Sequence, residues 1–333
     1  MSIAADLSVS VNQDALIGGV AGLATSALWV ATSLCFTSAG RRIGATLVNT
    51  LRLVVAIVLL GVTHRLLSGL WWPEMQDVQL FYLALSGLIG LTICDQALFT
   101  AFVDIGPRRA LLLMTTSPLV AVVLGVLAFG EAITFGASVG ILMTLAGIFW
   151  VLMERQPSTT VGSEPLARNP HATRGVILAL IAAVCQAIGF MYSKKGIGHG
   201  VVEEASHLDP QAATFVRMVF GAVGMLPILI LYWMHRSSPG RHASRQRRIG
   251  TRGAGYGLTA MGAVVGPYLG VWMSLVAMDR IPLGIAQTLC SLSPVLILPV
   301  VGLVYKERVN RRAVLGASMA VVGSIVLILS AAM

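Results

Sequence analysis

Apolar residues run along this chain in long blocks, and polar and charged residues gather in short stretches between them. A membrane-spanning helix needs roughly 20 mostly apolar residues. The blocks predict ten of them: Ala15 to Phe36, Ala45 to Leu67, Leu80 to Phe102, Ala110 to Phe129, Ile133 to Met153, Gly175 to Tyr192, Ala212 to Trp233, Gly255 to Ala277, Leu283 to Val304 and Ala313 to Leu329. In lipid a helix satisfies its own backbone, which an open sheet does not. The expected fold is an all-α membrane protein with ten transmembrane helices. The longest intervening stretches, 154–174 and 235–253, are rich in Ser, Gly, His and Arg and too short for a sizeable extramembrane domain. Small residues at Gly136, Gly140 and Gly147 predict close helix contacts.

Composition agrees. The 333 residues are 56% hydrophobic and 11% charged, with mean hydropathy +0.84. A soluble surface needs about 25% charged residues, so disorder, a disulfide scaffold and a soluble enzyme are excluded together. The net charge of +9 resembles that of a nucleic-acid binder until the placement of the charge is considered. Counting the loops from one to nine, the odd loops hold 17 Lys and Arg and the even loops four. The positive-inside rule then places the odd loops in the cytoplasm and both termini outside, and no nucleic-acid partner is expected. Cys35, Cys94, Cys185 and Cys290 sit in or beside apolar segments without a CxxC. They read as small buried residues, neither metal ligands nor disulfides. The opening MSIAADLSVSVNQD lacks the basic region of a signal peptide, so the first apolar block is expected to be a retained helix.

The chain is duplicated. An offset of 176 residues carries Ser117 onto Ser293, Pro118 onto Pro294, Glu131 onto Glu307, Gly140 onto Gly316 and Gly147 onto Gly323 without a gap. The same offset carries Gly90 onto Gly266, Ala101 onto Ala277 and Ile105 onto Ile281. Five spans precede the 154–173 connection and five follow it. The halves are therefore 15–153 and 174–331. An odd number of spans per half makes the two run in opposite senses through the membrane, the inverted-repeat plan of many secondary transporters.

Each half carries Pro, an apolar run, Gly-Glu or Lys-Glu, and then an apolar helix with two glycines. Arg52 lies in NTLRLVVA early in the second span, and Arg217 in TFVRMVFG in the seventh. This pattern resembles the EamA-type repeat of the drug/metabolite transporter superfamily, from about residue 15 to 330. The resemblance implies a ten-helix secondary transporter without ATP hydrolysis, and the chain has no Gly-rich loop ending in Lys-Ser or Lys-Thr. Membrane lipid and a small-molecule substrate are the expected partners, a proton gradient acting through Asp95 is a candidate driving force, and no cofactor is expected. The resemblance also implies cytoplasmic termini, against the charge bias, which is the reading followed. The family includes amino-acid exporters, drug exporters and sugar-phosphate or nucleotide-sugar carriers. The expected function is export of small polar metabolites such as amino acids across a bacterial cytoplasmic membrane, with drug export and nucleotide-sugar transport as alternatives. Monomer and homodimer both stay open.

Ionisable residues inside spans are functional suspects by default. Arg52 and Asp95 are expected at a similar depth, roughly 10–12 Å below one face at 1.5 Å per residue, where they either pair or flank one cavity. Asn49 shares a helical face with Arg52. The offset carries Asp95 onto Val271, so the acid is not duplicated, and the first span has no acid, unlike the small multidrug exporters that resemble half of this architecture. Arg217 lies nearer its helix start, where it either joins the site or snorkels to the headgroups. Trp29, Gln186, Tyr268, Trp272, Thr115, Thr116, Gln287 and Ser291 complete the candidate lining. Trp71 and Trp72 read as interfacial anchors. Gly266-Pro267 predicts a mid-span kink, and Pro118 and Pro294 occupy matching places. Glu131 and Glu307 are expected to act structurally, as negative charges at helix N-termini.

Overall fold

The computed structural model describes residues 2–105, 107–153, 172–236, 251–296 and 311–332, and every described element is helical. Among the described residues nine helices are long and apolar enough to cross a membrane. A shorter apolar helix, Leu283–Leu296, begins the ninth predicted span. The rest of that span with Glu307 (297–310) and residues 154–171 of the 154–173 connection lie outside the described residues.

The first two spans are α1 (Ser2–Ile43) and α2 (Ala45–Ser68). Gly44 separates them with φ 97, and Gly69 ends α2 with φ 77, both conformations that suit a residue without Cβ. The third span is α3 (Asp77–Gly87), a π-helical turn (Leu88–Ile93) and α4 (Cys94–Ile105). The fourth is split into α5 (Pro107–Met114) and α6 (Ser117–Phe129), and the fifth is α7 (Phe135–Met153). The second half follows suit. It comprises α8 (Ala172–Ile197), α9 (Pro210–Arg236), then α10 (Arg252–Ala263), a π turn (Val264–Gly270) and α11 (Val271–Arg280), then α12 (Leu283–Cys290) and α13 (Arg311–Ala332).

The duplication extends to the backbone irregularities. The two π turns begin at Leu88 and Val264, the same offset of 176. The fourth span breaks at Thr115-Thr116, and the ninth at the corresponding Ser291-Leu292. The kink expected at Gly266-Pro267 is thus a π turn. It does not depend on proline, because Leu91 stands at the Pro267 position in the first half and the turn forms there too. A π turn accommodates one extra residue and tends to occur where function needs it.

Inversion is visible where the equivalent fifth and tenth spans pack together. Gly140 meets the backbone of Gly323, and Gly147 meets that of Gly316. Rising along α7 therefore means descending along α13, so these equivalent helices are antiparallel. A Cβ on any of the four glycines would run against the facing helix, which is why the stripe is Gly.

The core is filled by Leu53, Leu60, Leu83, Met218, Leu275 and Met278, all buried. Large apolar side chains also cover the outside: Leu66, Leu127 and Phe135 are 79%, 77% and 85% exposed. Such a coat is stable against lipid and would be untenable in water. Trp71 and Trp72 are exposed beside it, as anchors should be.

Candidate substrate and coupling site

Arg52 on α2 and Asp95 on α4 form an ion pair, with side chains 4% and 17% exposed. The guanidinium is held from three sides. Its Nε donates to Asn49 Oδ1 at 2.8 Å, its Nη2 donates to Asp95, and the rings of Phe36 and Phe99 lie 5.7 and 5.6 Å from its centre. Asn49 Nδ2 in turn reaches Met225 Sδ at 3.6 Å on α9. Of the two expected arrangements, pairing is the one present. Asp95 stands in the first turn after the π turn, so the extra residue of that turn sets which way the carboxylate faces. In the second half Val271 occupies that position and is buried among apolar neighbours.

Arg217 does not snorkel. It lies on α9, 2% exposed, with its guanidinium 4.9 Å from the centre of the Phe190 ring on α8. Its Nη2 lies across Gly90, where a Cβ would collide with it, and Gly90 itself touches Gly189. Helix packing at these glycines closes the route to the headgroups that a flexible arginine would otherwise take. Nε and Nη1 are buried without a hydrogen-bond partner. Arg217 is thus a second buried arginine, set against the π turn at Gly90, five residues before Asp95 in the sequence.

The uncharged candidates divide into groups. Tyr268, Trp272 and Trp29 gather around the second π turn: the Tyr268 and Trp272 ring centres are 6.0 Å apart, and Trp29 approaches Gly270. The Tyr268 hydroxyl is 2.8 Å from Thr63 Oγ1 on α2. Thr115 and Thr116 mark the α5–α6 break and donate back to the carbonyls of Leu112 and Leu113. Ser291 marks the other break and donates to Gln287 O at 2.8 Å. That break is stitched to α1, since Ser26 Oγ donates to Leu289 O and accepts from Leu292 N–H. Buried Gln287 donates to Ser117 Oγ at 3.1 Å, while its Oε1 lacks a partner. Pro118 and Pro294 begin the helical segments after the breaks, where a missing N–H is tolerated. Gln186 is half-buried on α8.

Glu131 is structural in a different way from that expected. Its own following helix starts four residues later, at Phe135. Instead Oε2 accepts the Leu283 N–H at 2.8 Å, closing the N-terminus of α12 in the other half. Oε1 accepts Lys194 Nζ at 2.7 Å, and Lys194 also donates to Ile281 O at 3.0 Å. Gly125 leaves room for this carboxylate. The apolar block predicts a sixth span that ends at Tyr192, which would leave Lys194 in the following loop. The helix in fact continues to Ile197, and the Lys194 side chain is 8% exposed. A Lys-Lys pair after an apolar run has the signature of a helix exit, and the buried partner that reverses this reading is 63 residues away in sequence.

Two more polar contacts lie at this end of the bundle. Arg280 pairs with Asp14 of α1, and His199 Nε2 is 2.9 Å from Asp279 Oδ1. The end carrying the even loops is thus laced together. The Arg52–Asp95 pair lies toward the opposite end, with Arg52 the eighth residue of α2 and hence about 10 Å from its start.

A crystal structure with 19% sequence identity shares the fold, with a TM-score of 0.67 over 93% of this chain and 95% of that chain. No curated protein matches the chain. The EamA-like transporter family matches residues 16–153 and 173–329, one match in each half. The duplicated sequence, the antiparallel pairing of equivalent helices and these two matches lead to one conclusion: the chain belongs to the EamA-like transporter family.

Proposed function

We propose that this protein is a secondary transporter that exports small polar metabolites, amino acids among them, across a bacterial cytoplasmic membrane. The observation that carries the substrate class is buried Arg217, two of whose nitrogens have no partner, beside the π turn that precedes the buried Arg52–Asp95 pair. A buried donor without an acceptor costs roughly 1–3 kcal/mol, more when charged. A substrate carboxylate would remove that cost, and Asp95 would meet an ammonium group. Asp95 is also the group through which a proton gradient would act. The halves 15–153 and 174–331 would rock against each other, joined by 154–173. The odd loops would face the cytoplasm and both termini the outside.

The aromatic group of Trp29, Tyr268 and Trp272 supports a second reading, export of amphipathic drugs. Purified protein in liposomes, screened against amino acids, sugars, nucleotide sugars and cationic dyes, separates the two. Saturable flux of a zwitterion, abolished in Arg217→Gln, is the expected result. Flux of dyes alone would favour the drug reading, and no saturable flux of any solute would count against transport of these classes.

A further inference from the structure

We propose that His199, His207 and Asp279 form a divalent transition-metal site, matched to Zn²⁺, that clamps the loop between α8 and α9 to the end of α11. One ligand atom from each residue lies within 4.8 Å of the other two. His199 Nε2 already touches Asp279 Oδ1 at 2.9 Å, and the two imidazole centres are 4.6 Å apart at 59°. The rings are tilted and not stacked, and a nitrogen of each lies within 4.8 Å of the other's. All three residues are half-buried.

The loop is built to hold this arrangement. Gly198 has φ 141, and the His207 ring occupies the space its Cβ would need. The Gly198 carbonyl accepts from the N–H groups of Val201 and Val202, and Leu208 N–H donates to Ile197 O at 2.7 Å. Both histidines are thus fixed on one closed turn before any ion arrives. Asp279 comes from a separate span, so an ion here would bridge two parts of the bundle.

The donor set selects the ion. Two imidazoles and one carboxylate suit Zn²⁺, whereas Ca²⁺ and Mg²⁺ prefer an all-oxygen shell. Tetrahedral zinc ligands at about 2.1 Å stand about 3.4 Å from one another, so donors within 4.8 Å close by at most about 1.4 Å and the 2.9 Å His199–Asp279 contact opens by about 0.5 Å. The His199–Asp279 hydrogen bond gives way to bonds to the ion. Because the other ion pairs at this end also join separate spans, a bound ion would add to the closure of the even-loop end.

The test uses the full chain with a non-histidine affinity tag, purified in detergent, stripped with a chelator and titrated with Co²⁺ and then Zn²⁺. The expected result is one Co²⁺ per chain with visible absorption of a low-coordinate site, displaced by Zn²⁺. His207→Ala and Asp279→Asn should weaken binding more than about tenfold. Zn²⁺ should raise the melting temperature of the wild type and not of His207→Ala. His207→Cys should retain binding and add a thiolate-to-Co²⁺ charge-transfer band, which keeps the test decisive if the alanine variant misfolds. A wild type without the visible band, unchanged affinity in His207→Ala, or a folded His207→Cys without the thiolate band would each overturn the proposal.

Discussion

The Glu131 carboxylate and the Leu283 backbone N–H meet at 2.8 Å, so an acid from the first half closes the first turn of a helix in the second. The same carboxylate neutralises Lys194, which is buried. One side chain therefore joins α6, α8 and α12 at the end that carries the even loops.

Removing it should be severe. Glu131→Ala leaves a buried cation and an uncapped helix, a loss of ~3–5 kcal/mol. Glu131→Gln combined with Lys194→Met removes both charges and should recover most of that loss. Melting temperatures of the single and double variants in detergent measure the recovery. Equal destabilisation by Glu131→Ala and by the double variant would mean that the ion pair is not what the acid provides.

Asp95→Asn separates bracing from function. Bracing alone predicts a less stable protein, because Arg52 keeps its charge and loses its counter-ion. A coupling role predicts folded protein whose flux no longer follows an imposed pH gradient while substrate exchange continues. Transport per folded molecule, measured from pH 5 to 8, decides between them. Wild-type flux and pH response in a folded variant would remove Asp95 from the mechanism.

Arg52→Lys should weaken the site although the charge is kept. A lysine cannot donate to Asn49 and Asp95 through one planar fork. The expected outcome is weaker apparent affinity for a carboxylate substrate, about tenfold or more. Unchanged affinity would mean that only the charge at this position matters.

The glycine stripe predicts a sharp contrast. Gly147→Val pushes into Gly316 and Ala320 and should cost ~1–3 kcal/mol or more. Gly40→Ala, in α1 with open space around it, should instead gain ~0.5–1 kcal/mol from the stiffer helix. Thermal melting of the two variants checks both signs at once.

The proposed orientation is open to labelling. In a background without native cysteines, a cysteine at position 8 in place of Ser8 should react with an impermeant thiol reagent on intact cells. One in place of Ser244 should not. The reverse pattern would mean that the charge bias misleads and that both termini are cytoplasmic.

Block lengths, loop charges and the 176-residue offset were legible from the residue order because each is a property of local or repeated sequence. They were enough for an all-α membrane protein with two opposed halves, and for the suspicion that Arg52 and Asp95 share a depth. Pairing needed the tertiary structure, since depth does not say which way a helix is rotated, and one π turn before Asp95 changes that rotation. Arg217 shows the same limit. Its distance from the helix start is compatible with snorkelling, and only the packing of Gly90 and Gly189 around it closes that route. Lys194 and Glu131 lie 63 residues apart and read separately as a loop charge and a helix-start acid. Burial of a charge depends on what surrounds it from distant parts of the chain, and folding alone brings those parts together.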